Sequence, residues 1–157
     1  MVRYATLDDL SDILEMLKLC KEDMKQRGLH IWDDSYPTAD LIKEDIKSGN
    51  SVVYEEDNHV LAFLVYYPNV VDHNEELYHD HKNPVLIQRV MSHPMHRRKG
   101  HAEAILRFVE TLGYSSIRLL TRDVNTYSVN LYMKLGYNVI TTAINGTDTM
   151  QFCEKVL

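Results

Sequence analysis

The sequence has little cysteine, no excess of positive charge and no long hydrophobic run, and each shortage excludes a class of protein. Its two cysteines, Cys20 and Cys153, belong to no CxxC pair and no metal-ligand spacing, so we expect two free thiols in a reducing cytoplasm. The formal net charge of -6 argues against nucleic acid and anionic membrane as partners, because attraction to both depends on an excess of Lys and Arg. Any anion site must therefore be local.

Two further absences narrow the classes of protein to which the sequence can belong. No apolar run approaches the length of a membrane span, and the N-terminal residues lack the basic-then-apolar layout of a signal peptide. The glycine patterns of the common nucleotide loops, GxGxxG and the P-loop, are also missing. We therefore expect a cytoplasmic protein built as one domain over residues 1–157, because a hydrophobic content of 45% supplies one core.

Hydrophobic spacing and turn residues predict alternating helices and strands. A capping-box pattern at Thr6 and Asp9 predicts a helix from Leu10 to Gly28, and Thr38 is a suitable cap for a second helix. The second helix ends near residue 49 and is followed by strands at 52–54 and 60–67, a loop or short helix at 69–84, a strand at 85–91, a helix at 100–112, a strand at 116–121, a helix at 125–135, and strands at 137–142 and 149–155. This order implies an α/β fold with a mixed sheet covered by helices.

A basic turn follows the strand at 85–91. The segment Arg97-Arg98-Lys99-Gly100-His101-Ala102 opens the next predicted helix. A helix start presents unpaired N–H groups and the positive end of the helix dipole, so a diphosphate is a natural ligand there. Gly100 lets the backbone approach such a ligand, and Ala102 keeps the second point of approach small. A solvated helix start would carry the same residues.

The side chains of this turn would suit an anion site as well as a solvated helix start. Three of them, Arg97, Arg98 and Lys99, add positive charge beside the helix start. Two histidines, His96 and His101, would add more below neutral pH. The turn by itself is therefore a candidate anion site, and a solvated helix start stays the alternative.

Two ordered motifs lie in the second half of the chain. The first is Arg97-x-x-Gly100-x-Ala102, preceded by Ser92-His93-Pro94. The second runs from Asn125 through Leu131-Tyr132 to Lys134-Leu135-Gly136-Tyr137. The first resembles the [Gln/Arg]-x-x-Gly-x-[Gly/Ala] signature and the Val-His-Pro sequence of the GNAT superfamily of N-acetyltransferases. The second is similar to that family's later pattern of Asn, then Leu-Tyr-x-Lys-Leu-Gly-Phe/Tyr.

The resemblance implies a mostly antiparallel central sheet flanked by helices on both faces, in an enzyme that transfers an acetyl group from acetyl-CoA to an amine. It implies that the pantetheine arm of acetyl-CoA pairs with the backbone of Val90, Met91 and Ser92, and that the pyrophosphate lies on residues 97–102. The sequence departs from the usual pattern of the family at three positions. Many members have Gly at the position of Arg98, a second Gly is more usual at Ala102, and the preceding strand often has Gly at Ala62. The alternative is a non-catalytic module that binds or senses acyl-CoA.

Tyr132 and Asn125 are the side chains that the resemblance assigns to the reaction. They are seven residues apart and fall within roughly 20° of one helical face. Tyr132 is implied as the acid that protonates the departing thiolate, whereas ordinary core packing is the alternative. Asn125 is implied as a cofactor ligand, whereas a helix cap is the alternative.

The acceptor and the general base are less defined by the sequence. The resemblance implies that the amine binds near the first helices and the loop at 70–84. Trp32 and Tyr36 could wall a pocket there, and a carboxylate of Asp33, Asp34 or Glu76 could attract a cation. A surface loop with one buried Trp is the alternative. The sequence does not decide between a small-molecule amine and a peptide amine as the substrate. It also leaves open the acyl-chain length and whether the protein is a homodimer.

Five residues are candidates for the base that takes the proton of the amine, namely Glu75, Glu76, His79, His81 and His93. The histidine spacings His79-x-His81 and His93-x-x-His96 would also fit zinc. Structural zinc sites usually bring four ligands that include Cys, so we expect solvated histidines and no metal.

Overall fold

The protein has an α/β fold, seen in a computed structural model that describes residues 1–71 and 74–157. Seven strands form one sheet in the order β1-β2-β3-β4-β5-β7-β6. The pairs β1–β2, β2–β3, β5–β7 and β6–β7 run antiparallel, and β4–β5 runs parallel. The strands are β1 (Val2–Tyr4), β2 (Ser51–Glu56), β3 (His59–Pro68), β4 (Pro84–Ser92), β5 (Ser116–Arg122), β6 (Asn138–Asn145) and β7 (Asp148–Val156), and the helices are α1 (Leu10–Gln26), α2 (Ala39–Lys47), α3 (His101–Glu110) and α4 (Thr126–Lys134). The predicted mixed, mostly antiparallel sheet is confirmed.

The chain packs as two compact units, one of residues 1–65 with 89–109 and the other of residues 66–88 with 110–157. The predicted single domain over residues 1–157 stays a prediction. No helix within the described ranges is long and apolar enough to cross a membrane.

The first unit begins its helices where the sequence predicts. The backbone N–H of Thr6 donates to the carboxylate of Asp9 at 2.8 Å, and Thr38 Oγ1 accepts the N–H of Leu41 at 3.2 Å. These bonds satisfy N–H groups that a helix start leaves without an intrahelical partner. The largest side chains of this unit's core are Ile13, Met16, Ile42, Val52, Phe63, Leu64, Ile105 and Leu106.

One strand of the first unit is absent from the sequence-based prediction. β1 pairs antiparallel with β2, with Arg3 opposite Val53. A strand of three residues is too short to show an alternation of apolar and polar side chains, so only its pairing with a distant strand defines it. Omitting β1 from the prediction was therefore wrong.

The second unit fixes the loop before β4 through buried charges. The Glu154 carboxylate, on β7, accepts the backbone N–H groups of His79 and Asp80 at about 3 Å. Arg118, on β5, forms a bidentate ion pair with Glu75 at 2.6 and 2.8 Å. The predicted loop or short helix at 69–84 contains a 3₁₀ turn at Glu75–Leu77, and its residues 72 and 73 lie outside the described residues.

Both cysteines are buried and free, as predicted. Burial raises the pKa of Cys20 to about 12 and that of Cys153 to about 11. Because the thiolate is the reactive form, we expect neither thiol to react with a chromogenic disulfide reagent in the folded protein at neutral pH, and both to react after denaturation. A thiol that titrates rapidly in the folded protein would contradict this burial.

Candidate functional site

The predicted basic turn joins the end of β4 to the start of α3 in the first unit. A 3₁₀ turn at Pro94–His96 follows β4. Two residues then take left-handed backbone conformations, Arg98 with φ +62° and Gly100 with φ +80°. A Cβ added at Gly100 would meet no heavy atom within 4 Å. Gly100 therefore serves two needs, a positive φ and an open space in front of the backbone.

The N-terminus of α3 carries no side-chain cap from the residue that precedes it. Gly100 has no side chain, and its carbonyl accepts the N–H of Ala104 at 2.9 Å. The first N–H groups of a helix have no intrahelical acceptor and lie at the positive end of the dipole. The helix start can therefore accept an anion at the backbone itself.

One charged side chain of the turn is held in an ion pair, and two others are exposed. The Arg97 guanidinium donates to the Asp23 carboxylate at 2.5 and 3.2 Å, and Arg27 contacts the same carboxylate. The hydrogen bond from Arg97 holds the pKa of Asp23 below its usual value. Arg98 and Lys99 are exposed. The positive charge that faces solvent at this turn therefore comes from Arg98 and Lys99.

The His101 side chain is buried and does not lie on the exposed surface of the turn. Its ring stacks on Tyr54, with the ring centroids 4.3 Å apart, and the residue is 5% exposed. Burial lowers the pKa of His101, and its Nδ1 atom has no hydrogen-bond partner. The His101 ring is thus packed on Tyr54, while the backbone N–H of His101 belongs to the start of α3.

The segment Val90–Ser92 at the end of β4 follows a kink. Arg89, directly before it, has φ +53°, an uncommon value for a non-glycine residue in a strand. Met91 is buried, and the Ser92 carbonyl accepts the Cys20 thiol proton at 3.4 Å. The N–H of the next residue, His93, donates to the Leu61 carbonyl at 2.8 Å. A residue in the left-handed region thus lies directly before the predicted cofactor segment.

The kinked residue is held by a buried ion pair that the sequence-based prediction did not include. Arg89 donates to both carboxylate oxygens of Asp45, on α2, at 2.6 and 2.8 Å, and to the Tyr36 hydroxyl at 3.0 Å. The side chains of Arg89 and Asp45 are only 4% and 3% exposed. Burial disfavours the charge on Arg89, but the hydrogen bonds with Asp45 and Tyr36 outweigh it and raise the pKa of Arg89.

In the second unit, Tyr132 is buried and Asn125 is not a side-chain cap. Tyr132 is 4% exposed, and its ring packs edge-on against the Tyr137 ring, with the ring centroids 5.6 Å apart. Burial is the main cause that raises the pKa of the Tyr132 phenol, with a smaller contribution from Cys153, and a hydrogen bond with Ser128 opposes the rise. Asn125 precedes α4, but its side chain makes no capping hydrogen bond. Asn125 thus occupies the N-cap position of α4, as the helix-cap alternative predicted, and its carbonyl accepts the N–H of Val129 at 3.0 Å.

The predicted acceptor residues differ in exposure. In the first unit, Trp32 is half-buried and Tyr36 is 41% exposed with its hydroxyl on Arg89. In the second unit, Glu76 is exposed in the 3₁₀ turn. Their part in acceptor binding stays a prediction.

The candidates for the general base also differ in the groups that they contact. Glu75 binds Arg118 and lies 3.1 Å from His81 Nδ1. His93 Nδ1 accepts the N–H of Met95 at 3.2 Å, and burial lowers the pKa of His93. Over residues 1–71 and 74–157, no group of three His, Cys, Asp or Glu side chains could hold a metal ion.

Comparison with known proteins agrees with both motifs. A sequence profile of the acetyltransferase (GNAT) family matches residues 11–137. No curated protein matches the sequence. The structure is similar to a GNAT-family acetyltransferase from Streptococcus agalactiae, with a TM-score of 0.88 and 20% identity over 100% of this chain and 95% of that one.

Two similar structures contain the coenzyme. The PaiA N-acetyltransferase of Thermoplasma acidophilum, solved with coenzyme A, has a TM-score of 0.74 and 15% identity over 100% of this chain and 98% of that one. YncA of Salmonella typhimurium, solved with acetyl-CoA, has a TM-score of 0.70 and 17% identity over 100% and 93% of the two chains. These likenesses show a shared fold.

The family profile covers most of the chain and includes the basic turn and the whole second motif. The enzyme and its cosubstrate, acetyl-CoA, are thus as the two motifs predicted. The chain belongs to the GNAT acetyltransferase family and is an acetyl-CoA-dependent N-acetyltransferase.

Proposed function

We propose that the enzyme transfers the acetyl group of acetyl-CoA to a primary amine by direct attack on the thioester, with the turn at 97–102 as the site of the pyrophosphate. The observation that carries this proposal is the start of α3, where Gly100 leaves the backbone open and Arg98 and Lys99 are exposed. Charge-assisted hydrogen bonds from backbone N–H groups suit a diphosphate. Arg97 has an indirect part, because its ion pair with Asp23 fixes the start of the turn.

The backbone of Val90, Met91 and Ser92 is the proposed partner of the pantetheine arm. An arm of amides pairs with a strand through N–H and C=O groups, in the manner of an added strand. A backbone N–H in this segment would donate to the thioester carbonyl and stabilise the oxyanion that forms there. The kink at Arg89 supports this role, because it changes the direction of the N–H groups that follow.

The reaction forms an N–C bond to the amine and breaks the C–S bond of the thioester. The amine loses one proton to a base, and the departing thiolate gains one. Tyr132 is the proposed donor of the second proton, and Asn125 a proposed ligand of the arm. The absence of a capping bond from the Asn125 side chain supports the latter role.

The environment of Tyr132 limits how it can act. Burial raises the pKa of the phenol above its usual value of about 10, so the phenol is protonated across the working pH range. A thiol in water has a pKa of about 8.5, which makes its thiolate a weaker base than this phenolate. Tyr132 would therefore stabilise the thiolate first by a hydrogen bond and complete the proton transfer only when the sulfur is itself desolvated.

The acceptor is proposed to be a small-molecule amine or a peptide amine. In the first unit, the half-buried Trp32 and the Tyr36 ring support binding of a cation, because aromatic faces attract ammonium groups. In the second unit, the exposed carboxylate of Glu76 supports the same charge preference. The two free thiols support a cytoplasmic location.

Replacing Gly100 by Ala tests the pyrophosphate site. We expect acetyl-CoA affinity, measured by titration calorimetry, to fall about tenfold, the scale of one charge-assisted hydrogen bond. The reason is that a methyl group would stand in the open space before the helix start. Alanine at φ +80° also carries backbone strain, so stability falls as well.

Gly49→Ala is the matched control, because Gly49 has φ +81° and likewise no heavy atom within 4 Å of an added Cβ. The two variants should lose similar stability, and only Gly100→Ala should lose affinity. Equal acetyl-CoA affinity in the two variants would remove the proposed site from this turn.

A further inference from the structure

Arg89 connects the segment proposed for the cofactor, which follows it in the chain, with the loop proposed for the acceptor, which its side chain contacts. Its backbone directly precedes the proposed cofactor segment Val90–Ser92 and takes the positive φ of the kink. Its guanidinium reaches the Tyr36 hydroxyl at 3.0 Å, while Asp45 binds the same guanidinium at 2.6 and 2.8 Å. One residue thus joins the strand proposed for the cofactor to the aromatic loop proposed for the acceptor, and both lie in the first unit.

The aromatic loop at 32–36 is closed by its own hydrogen bonds. Asp33 and Tyr36 exchange both backbone bonds, at 3.0 and 3.2 Å. The Asp33 carboxylate accepts the N–H and the hydroxyl of Ser35 at 2.8 and 2.5 Å. A turn closed in this way moves largely as one piece, so a displacement of Tyr36 also displaces Trp32, the residue before Asp33.

We propose that Arg89 is a positioning residue that couples the cofactor strand to the aromatic loop, so that binding of acetyl-CoA along β4 changes the position of Tyr36 and the environment of Trp32. This inference rests on the proposed function. Asp45 holds the guanidinium bidentately, and Arg89 transmits a shift of the kinked backbone to the Tyr36 hydroxyl. Tyr36 is then placed for the amine by the occupied cofactor strand.

The physical reason lies in the restricted freedom of this side chain. A residue at positive φ in a strand is held there by its surroundings, and a ligand that pairs with the next three residues changes those surroundings. Because the Arg89 side chain is 4% exposed and bound bidentately, it follows its backbone with little rotamer freedom. The fork geometry of guanidinium allows it to bind Asp45 and Tyr36 together, which an ammonium group cannot reproduce.

Trp32 reports directly on this coupling, because it is the only tryptophan in the chain. We expect its emission, excited at long wavelength to avoid the adenine absorption, to change when the wild-type protein is titrated with acetyl-CoA. Tyr36→Phe should abolish most of this change. Its acetyl-CoA Kd, measured by calorimetry, should rise by no more than about fivefold, because the Tyr36 hydroxyl acts on the proposed cofactor segment only through Arg89. Arg89→Lys should lose the same response.

Tyr4→Phe is the matched control, since it removes the hydroxyl of a tyrosine that is 44% exposed, against 41% for Tyr36. It should keep both the response and the Kd. A Tyr36→Phe protein with the wild-type response, or a wild type that binds acetyl-CoA in calorimetry with no change at Trp32, would overturn the inference. A wild type that binds no acetyl-CoA in calorimetry would instead overturn the proposed function, and the coupling with it.

Discussion

Replacing Asp45 by Asn is expected to lower the free energy of unfolding by about 3–5 kcal/mol, the range for breaking a buried ion pair on one side. The amide keeps the shape of the carboxylate but leaves the guanidinium of Arg89, 4% exposed, without its counter-charge. Removing a charged partner from a buried cation costs far more than removing an exposed one. Urea unfolding followed by circular dichroism measures the loss.

Glu44→Gln is the control for this substitution, because Glu44 is the adjacent acidic residue of α2 and its side chain is 70% exposed beside Lys47. It should change stability by less than about 0.5 kcal/mol. The double variant Asp45→Leu with Arg89→Met should recover much of the loss, since replacing both charges by apolar groups leaves none buried. An Asp45→Asn protein as stable as the wild type would show that the ion pair does not hold α2 to β4.

Replacing Tyr132 by Phe is expected to lower kcat by about 100-fold or more, the lower bound for a positioned acid or base. The phenol is the proposed donor to the departing thiolate, and the phenyl ring keeps the packing against Tyr137. The measurement is release of the CoA thiol from acetyl-CoA over a panel of primary amines. Because burial raises the pKa of Tyr132, ionisation of the phenol should not lower the wild-type rate between neutral pH and about pH 10.

Tyr127→Phe is the control for this rate, because Tyr127 lies on the same helix and is 42% exposed. It should leave kcat unchanged. If Tyr132→Phe released CoA as fast as the wild type over the whole panel, Tyr132 would be a core residue and not the acid. If the wild type turned over no amine but bound acetyl-CoA, the non-catalytic acyl-CoA module would be the better description.

Most helices and strands could be predicted from the sequence because local signals define them. Thr6 with Asp9 and Thr38 carry recognisable caps, and Asp57-Asn58 and Asn145-Gly146 are turn residues between apolar strands. The same local quality applies to the basic turn, whose residues are consecutive. Helices and strands that carry a cap, end at a turn or keep a regular spacing of apolar residues can thus be predicted from the sequence.

Contacts between distant residues account for what the sequence-based prediction lacks. β1 depends on its pairing with β2, and Arg97 is paired with Asp23, which is 74 residues away. His101 is buried because Tyr54 stacks on it, and neither residue carries a local sign of that contact. Each of these contacts joins residues that are close in the fold but distant in the sequence. The spacing of residue types along the chain therefore does not predict them.

The buried ion pair of Arg89 and Asp45 did leave a signal in the sequence. Arg89 occupies the buried phase of β4, in register with Val85, Ile87 and Met91, and Asp45 lies on the apolar face of α2 beside Ile42 and Ile46. A charged residue at an apolar position requires a partner of opposite charge. Arg89 is such a cation and Asp45 such an anion, although the positive φ of Arg89 has no counterpart in the residue types.

The measurement that tests the central claim most directly is a calorimetric comparison of acetyl-CoA with S-acetylpantetheine, which keeps the thioester and the arm but lacks the pyrophosphate. If the backbone at the start of α3, with Arg98 and Lys99, holds the pyrophosphate, acetyl-CoA should bind about tenfold or more tightly than S-acetylpantetheine. Its affinity should also fall with added salt, because Arg98 and Lys99 are exposed. Equal affinity for the two ligands would contradict the assignment of the turn at 97–102 to the pyrophosphate.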